Sequence, residues 1–227
     1  MIKLSEKKIL RVKADKTEIK NMYAKFSKVF GLIEKSEKSL RKKGLEMLSL
    51  KKGEKVLEIG FGRGTTLVEI AKKVGVEGEI HGIDLTPEMV ALASELFSKN
   101  KVSNARIIEG DARSLPYEKK YFDAVYIAST LELFDTPDIP VVLKEIRRVL
   151  KSTGRLCVIS MPKEEREDTK GLKLYEWFHT KFPKYASCRP IYVENSIAEA
   201  GFKVVKKDII GLFFPMKIII ALPIDHK

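Results

Sequence analysis

Residues 56–66 read VLEIGFGRGTT. Val56 to Ile59 has the apolar character of a short buried strand, Gly60, Gly62 and Gly64 follow at alternate positions, and Thr65 and Thr66 open a helix. A strand that breaks into closely spaced glycines and resumes as a helix lets the backbone approach a ligand that side chains would block. Outward from this loop the alternation continues. Leu67, Ile70, Ala71 and Val74 give the next helix a buried face, and Ile80 to Asp84 is a second strand. Thr86-Pro87-Glu88 has the order N-cap, N1 proline and acidic first turn, which predicts a helix through about Ser98. Arg106 to Glu109, Ala124 to Ala128 and Leu156 to Ser160 are further strands, and a helix over Ile139 to Leu150, closed by Gly154, precedes the last of them. Residues 53–160 therefore predict a doubly wound α/β unit of right-handed βαβ crossovers.

The rhythm changes on both sides. After Met161-Pro162 comes a charged loop, Lys163 to Asp168, then the aromatic run Leu172 to Phe182 (LKLYEWFHTKF), which is either a lid over an apolar acceptor or a helix packed on the sheet edge. A helix near Val193 to Ala200 and strands at Phe202 to Ile209 and Lys217 to Leu222 finish the chain, the strand pair adding antiparallel strands at one sheet edge. Upstream, Ile19, Met22, Tyr23, Phe26, Val29 and Phe30 recur at helical spacing among lysines, and a second helix is expected around Ser36 to Ser49. The expected organisation is a basic helical extension over 1–50 and an α/β domain over 51–227, with 161–190 as a lid insertion.

Charge is unevenly distributed. The chain of 227 residues carries a formal net charge of +12. Residues 1–55 hold 17 Lys and Arg against 7 Asp and Glu, leaving 26 against 24 for the rest. The basic excess is thus an N-terminal property, open to three readings: a lid for an anionic acceptor, attachment to an anionic membrane surface, or a solvated face. Nucleic acid fits less well, because aromatics are not interleaved with the early lysines. The start, MIKLSEKKILRVK, lacks a signal-peptide core, and the apolar stretch Ile209 to Ile224 is interrupted by Pro215, Lys217 and Pro223, so the expectation is a cytoplasmic protein, peripheral to the membrane at most. Cys157 and Cys188 suggest neither a disulfide framework nor a metal site. The absence of glutamine beside abundant Lys and Glu resembles heat-adapted composition.

Ligands of such sheets bind beyond the carboxyl ends of the strands. Two occupants compete for the glycine loop, a dinucleotide and S-adenosylmethionine. The dinucleotide fingerprint G-x-G-x-x-G is one residue longer than Gly60-x-Gly62-x-Gly64. Glu58, two residues before the loop, would repel a diphosphate and suits the ammonium and sulfonium of S-adenosylmethionine. Asp84, at the end of the second strand, can accept hydrogen bonds from both ribose hydroxyls, with Leu85 beside it. Asp111 in Gly110-Asp111-Ala112 can receive the adenine amino group while Ala112 packs on the ring.

With these residues in place, VLEIGFGRG (56–64), IDLTPEM (83–89), GDARSLPYEKKYFDAV (110–125) and LKEIRRVLKSTGRL (143–156) resemble the class I S-adenosylmethionine-dependent methyltransferases, and the last two are similar to the ubiquinone/menaquinone biosynthesis C-methyltransferase family. The resemblance spans about residues 20–160. It implies a seven-stranded sheet with an antiparallel last strand, and cofactor contacts from Gly60, Gly62, Asp84, Asp111, Ala112 and Tyr23. The sequence departs from the quinone enzymes at Ser129-Thr130-Leu131-Glu132-Leu133 and in 161–190, so the resemblance leaves the acceptor open.

Methyl transfer to an activated sulfonium carbon requires alignment and exclusion of water more than a nucleophile. A phenolic carbon acceptor would gain from a base, for which Glu132, His179 and Tyr175 are the candidates. Ala128 to Leu131 contains no N/D-P-P-Y/F loop of the kind that amino methylation of bases uses, and the two cysteines suit neither pyrimidine carbon-5 nor arsenic methylation. The expected activity is methylation of a small-molecule or lipid acceptor, including a quinone-like or phenolic ring, with S-adenosylhomocysteine as product. The alternative is a protein that binds S-adenosylmethionine and recognises RNA or a membrane with little turnover.

Overall fold

The computed structural model describes Thr17 and residues 38–164, 170–181, 188–211 and 215–224. In chain order the elements are α1 (Lys38–Leu48), β1 (Lys55–Ile59), α2 (Thr65–Val74), β2 (Glu79–Asp84), α3 (Pro87–Asn100), β3 (Ala105–Glu109), β4 (Phe122–Ala128), a 3-10 turn (Leu131–Leu133), α4 (Ile139–Val149), β5 (Leu150–Ser160), α5 (Lys170–Lys181), α6 (Val193–Glu199), β6 (Phe202–Ile210) and β7 (Met216–Pro223). The strands form a single seven-stranded sheet in the order β3-β2-β1-β4-β5-β7-β6. Strands β1 to β5 are parallel, and β7 pairs antiparallel with both β5 and β6. The strand order reverses between β1 and β4, and a crevice therefore opens beyond their carboxyl ends.

Strand parity decides the two layers. Leu57, Ile59, Val125, Ile127, Leu156 and Val158 point to one face, where Ile139, Val142, Leu143 and Ile146 of α4 and Ile197 of α6 cover them. Val56, Ala124, Tyr126, Cys157 and Ile159 point to the other, beneath α1, α2 and α3. Because both faces are buried, the strands read as continuous apolar runs rather than alternating ones. Leu40, Leu45 and Leu48 place α1 in this second layer, and Gly44 allows it close: a Cβ there would lie 2.7 Å from Ile159. No helix among the described residues is long and apolar enough to cross a membrane.

One boundary differs from expectation. Gly154 does not close α4; the helix ends at Val149 and β5 starts at once, running through Gly154 to Ser160. The pairing of β4 with β5 shifts here, from Phe122 opposite Leu150 to Ala124 opposite Arg155. A Cβ at Gly154 would meet Leu150 at 2.8 Å and the Lys151 carbonyl at 2.9 Å, so this glycine serves a strand irregularity.

Candidate functional site

The loop after β1 is held in a conformation open mainly to glycine. Gly60, Gly62 and Gly64 have φ of 69°, 54° and 81°, all left-handed. They differ in what surrounds them. A Cβ on Gly60 would overlap Thr130, with Oγ1 only 2.3 Å away; one on Gly64 would press Ala93 at 2.8 Å; one on Gly62 would meet nothing within 4 Å. The backbone at Gly62 thus faces open space. Gly64 stands at the N-cap of α2 and supplies no side-chain acceptor, which leaves the first-turn N–H groups directed at whatever occupies that space.

Neighbouring strand ends are tied to this loop. The Gly60 N–H donates to the Ile83 carbonyl and the Gly110 N–H to the Asp84 carbonyl, both at 2.8 Å. One carboxylate oxygen of Asp84 accepts the Gly62 N–H at 2.9 Å, and the other accepts the Thr86 N–H and hydroxyl at 3.0 and 2.9 Å. Burial pushes the Asp84 carboxyl above the usual range, and the bonds from Gly62 and Thr86 oppose that shift. Glu58 is 3% exposed, in register with Gly82 on β2 and Tyr126 on β4. Leu85 is half-buried beside Asp84, and Ala112 is buried under the loop after β3. Asp111 is engaged along its carboxylate by Arg113, with Nη2 to Oδ2 at 2.7 Å, and Arg113 also reaches Asp138 at 2.9 Å.

On the β4 and β5 side, Ser129 has a left-handed φ of 48° and its N–H donates to the Ile159 carbonyl, which folds Thr130 onto Gly60. Glu132 is 1% exposed and accepts a hydrogen bond from the Ser160 hydroxyl at 2.9 Å, an interior position rather than that of a surface helix charge. Tyr175 of α5 lies close enough for the Glu132 carboxylate to act on it. Burial foremost, then Cys188 and Glu132, push its phenol well above the usual range, and its O–H donates to the Cys188 carbonyl at 3.1 Å. His179, also on α5, is buried.

The structure therefore brings Glu58, Gly60, Gly62, Gly64, Asp84, Leu85, Asp111 and Ala112 to one rim of the sheet, and Glu132 and Tyr175 to its flank. Tyr23 lies outside the described residues, as does the expected helix over 17–30 apart from Thr17. His81 is structural, buried edge-on among Tyr117, Tyr121 and Phe122. Among the described residues no group of His, Cys, Asp or Glu is placed to hold a metal ion. Sequence patterns missed Thr130, Ser160, Lys163 and Arg189. Arg189 is fully buried and donates to the Phe134 carbonyl, and Lys163, assigned to a charged loop, is 7% exposed and paired with Glu176 at 2.5 Å. The departure of STLEL from the quinone enzymes is the one signal that pointed at Thr130.

Comparison with known proteins bears on this rim. Residues 56–154 match the family model described as a methyltransferase domain. Demethylmenaquinone methyltransferase of Staphylococcus aureus is 31% identical over 152 residues, 65% of this chain; the chain spans 61% of that relative's length. A S-adenosylmethionine-dependent methyltransferase from Aquifex aeolicus superposes with a TM-score of 0.63 at 25% identity, over 81% of this chain and 89% of that one. The cyclase SpnF superposes with a TM-score of 0.77 at 17% identity, over 96% and 99%, a likeness of fold alone. The matched region includes the glycine rim, whereas the segment after residue 160, which carries α5, lies beyond it.

Proposed function

We propose that this chain is an S-adenosylmethionine-dependent methyltransferase acting on a small-molecule or lipid acceptor, with a quinone-like or phenolic ring as the favoured class. The observation that carries the reading is the juxtaposition of a left-handed glycine loop, open at Gly62, with two carboxylates, Glu58 and Asp84. Asp84 would exchange or share its bond from Gly62 with the ribose hydroxyls, Glu58 favours a cationic ligand over a diphosphate, and the uncapped start of α2 suits the ligand's carboxylate. Asp111 and Ala112 flank the adenine position, with Arg113 fixing the Asp111 carboxylate. Tyr23 is retained as a contact from the N-terminal segment.

Of the three base candidates, Glu132 fits best. Tyr175 is held protonated by its surroundings and would act as a hydrogen-bond donor, while Glu132 lies near enough to act on it and accepts the Ser160 hydroxyl. His179 would support α5. The likeness to a demethylmenaquinone methyltransferase supports a quinone-like ring as acceptor, and for a ring carbon next to a hydroxyl, removal of the phenolic proton would promote attack. Residues 161–190 would cover the acceptor as a lid, and 1–50, strongly basic, would bring the protein to an anionic surface holding a lipid acceptor.

Calorimetry with S-adenosylmethionine and with NAD tests the cofactor. Binding of the first and not of the second is expected, and Asp84→Ala should weaken it on the order of 100-fold, the loss of two hydrogen bonds to a charged acceptor. Tight NAD binding, or an unaltered Asp84→Ala, would overturn the reading. Turnover is checked by release of S-adenosylhomocysteine with demethylmenaquinone and with simple phenols, where Glu132→Gln should lower kcat by about 100-fold with little change in KM for the cofactor.

A further inference from the structure

Beyond the methyl-transfer site, a groove of about 550 Å³ lies at the opposite end of the sheet. Its walls come from the turn before β4, the last turns of α4, the start of β5, the junction of α6 with β6 and the end of β7. These are the amino ends of β4, β5 and β6 and the carboxyl end of antiparallel β7, so the groove is on the far rim from Gly60 and Asp84. Lys119, Lys120, Lys144, Arg147 and Arg148 line it, against one carboxylate, Glu199, over a floor that includes Leu150 and Pro223.

Among the described residues, Arg148 is the one of those cations held in an ion pair. Arg148 is gripped by Glu145 at 2.7 Å and donates to the carbonyls of Leu115 and Tyr117. Arg147 donates to the Ile224 carbonyl, and its Nε is buried with no acceptor among the described residues. Its guanidinium lies flat against Gly201, whose φ is 82° and where a Cβ would stand 3.1 Å from Cζ; the glycine makes room for it. The side chains of Lys119, Lys120 and Lys144 form no ion pair or hydrogen bond among the described residues. This concentration is not a reflection of the whole chain's charge, because residues after 55 are nearly balanced at 26 cations against 24 anions.

We infer that this groove binds a small phosphorylated molecule carrying two adjacent phosphate groups. Its volume is that of a small-ligand site. Lys119, Lys120, Lys144 and Arg147 less Glu199 leave an excess of three positive charges, matched by the roughly three to four negative charges of two linked phosphates. The cations approach from two elements around one hollow, which suits a compact polyanion better than an extended strand.

Pyrophosphate is the probe, titrated calorimetrically into the full-length protein. Saturable 1:1 binding is expected, and Lys120→Asn with Lys144→Ala should weaken it about tenfold, the loss of two charge contacts. Lys120 has a left-handed φ of 56°, which asparagine tolerates, and both side chains are exposed, so the melting temperature should not move. A control that removes the same charge elsewhere, Lys73→Ala with Lys99→Ala, should leave binding unchanged. No saturable binding, or equal weakening in the control, would overturn the inference. So would binding of a ten-nucleotide single-stranded RNA that depends on Lys120 and Lys144 when pyrophosphate does not bind, since the groove would then belong to a polymer.

Discussion

At the scale of single residues, Gly60 and Gly62 share a backbone conformation and differ in their surroundings, and this separates folding from binding. An L-residue in the left-handed region costs about 1–2 kcal/mol. At Gly62 nothing stands within 4 Å of a new methyl group, so Gly62→Ala should fold, with a melting temperature lower by about 2–8 °C. Its methyl would project into the space the cofactor is proposed to fill, and binding should suffer more than stability does. At Gly60 the same strain adds to overlap with Thr130, and overpacking of that kind costs about 1–3 kcal/mol more. Gly60→Ala should therefore melt lower than Gly62→Ala. Adding Thr130→Gly should recover the overlap portion only, a non-additivity that a double-mutant cycle of melting curves would display. Equal melting temperatures for the two alanine variants would contradict the assigned contacts.

At the scale of elements, α5 docks through polar links as well as through Leu172 and His179. Lys163 and Glu176 pair at 2.5 Å with side chains only 9% and 20% exposed, and Tyr175 donates to the Cys188 carbonyl. Glu176→Gln would take one counter-charge from a buried ammonium, a loss of up to about 3–5 kcal/mol that undocking relieves. Limited proteolysis should then cut faster within 161–190, while the main melting transition moves little because the sheet does not depend on α5. Unchanged cleavage rates would show that the pair does not hold the helix. This region is also where sequence pattern and structure part company. Val56 to Ile59 and Ile80 to Asp84 were legible as strands because burial on both faces leaves continuous apolar runs, and their order placed Gly60, Glu58 and Asp84 at one rim. The partners of Lys163, Arg189 and Glu132 were not legible, because a long-range ion pair or buried hydrogen bond leaves no period in the chain. Gly154 was misread for a related reason: a glycine after a helix looks the same whether it stops that helix or accommodates a shifted strand pairing.

At the scale of the whole molecule, the rim opposite the glycine loop makes stability sensitive to acid. Glu79 receives Lys55 at 2.8 Å and the Tyr121 hydroxyl, and these two, with Lys55 first, hold its carboxyl down at about 2. Burial among three aromatic rings lowers the His81 imidazole below its ordinary value, against the smaller pull of Glu79. Both groups bind protons more readily in the unfolded chain, so stability rises with pH across their windows. For His81 the contribution is complete above 6.5 and is lost as pH falls below that value; for Glu79 it is complete above 4.5 and is lost on the way down to about 2. The net charge of +12 grows as carboxylates protonate, and self-repulsion adds to the loss. The melting temperature should consequently fall in two stages, a shallow one that sets in below pH 6.5 and a steeper one below 4.5. His81→Phe keeps an aromatic ring in the cluster and removes the titrating group, so it should flatten the first stage and leave the second. Glu79→Gln should lower stability at neutral pH and reduce the second stage, bringing the variant and the parent together near pH 2. Parallel curves for parent and variants between pH 7 and 2 would show that these groups do not govern the acid response.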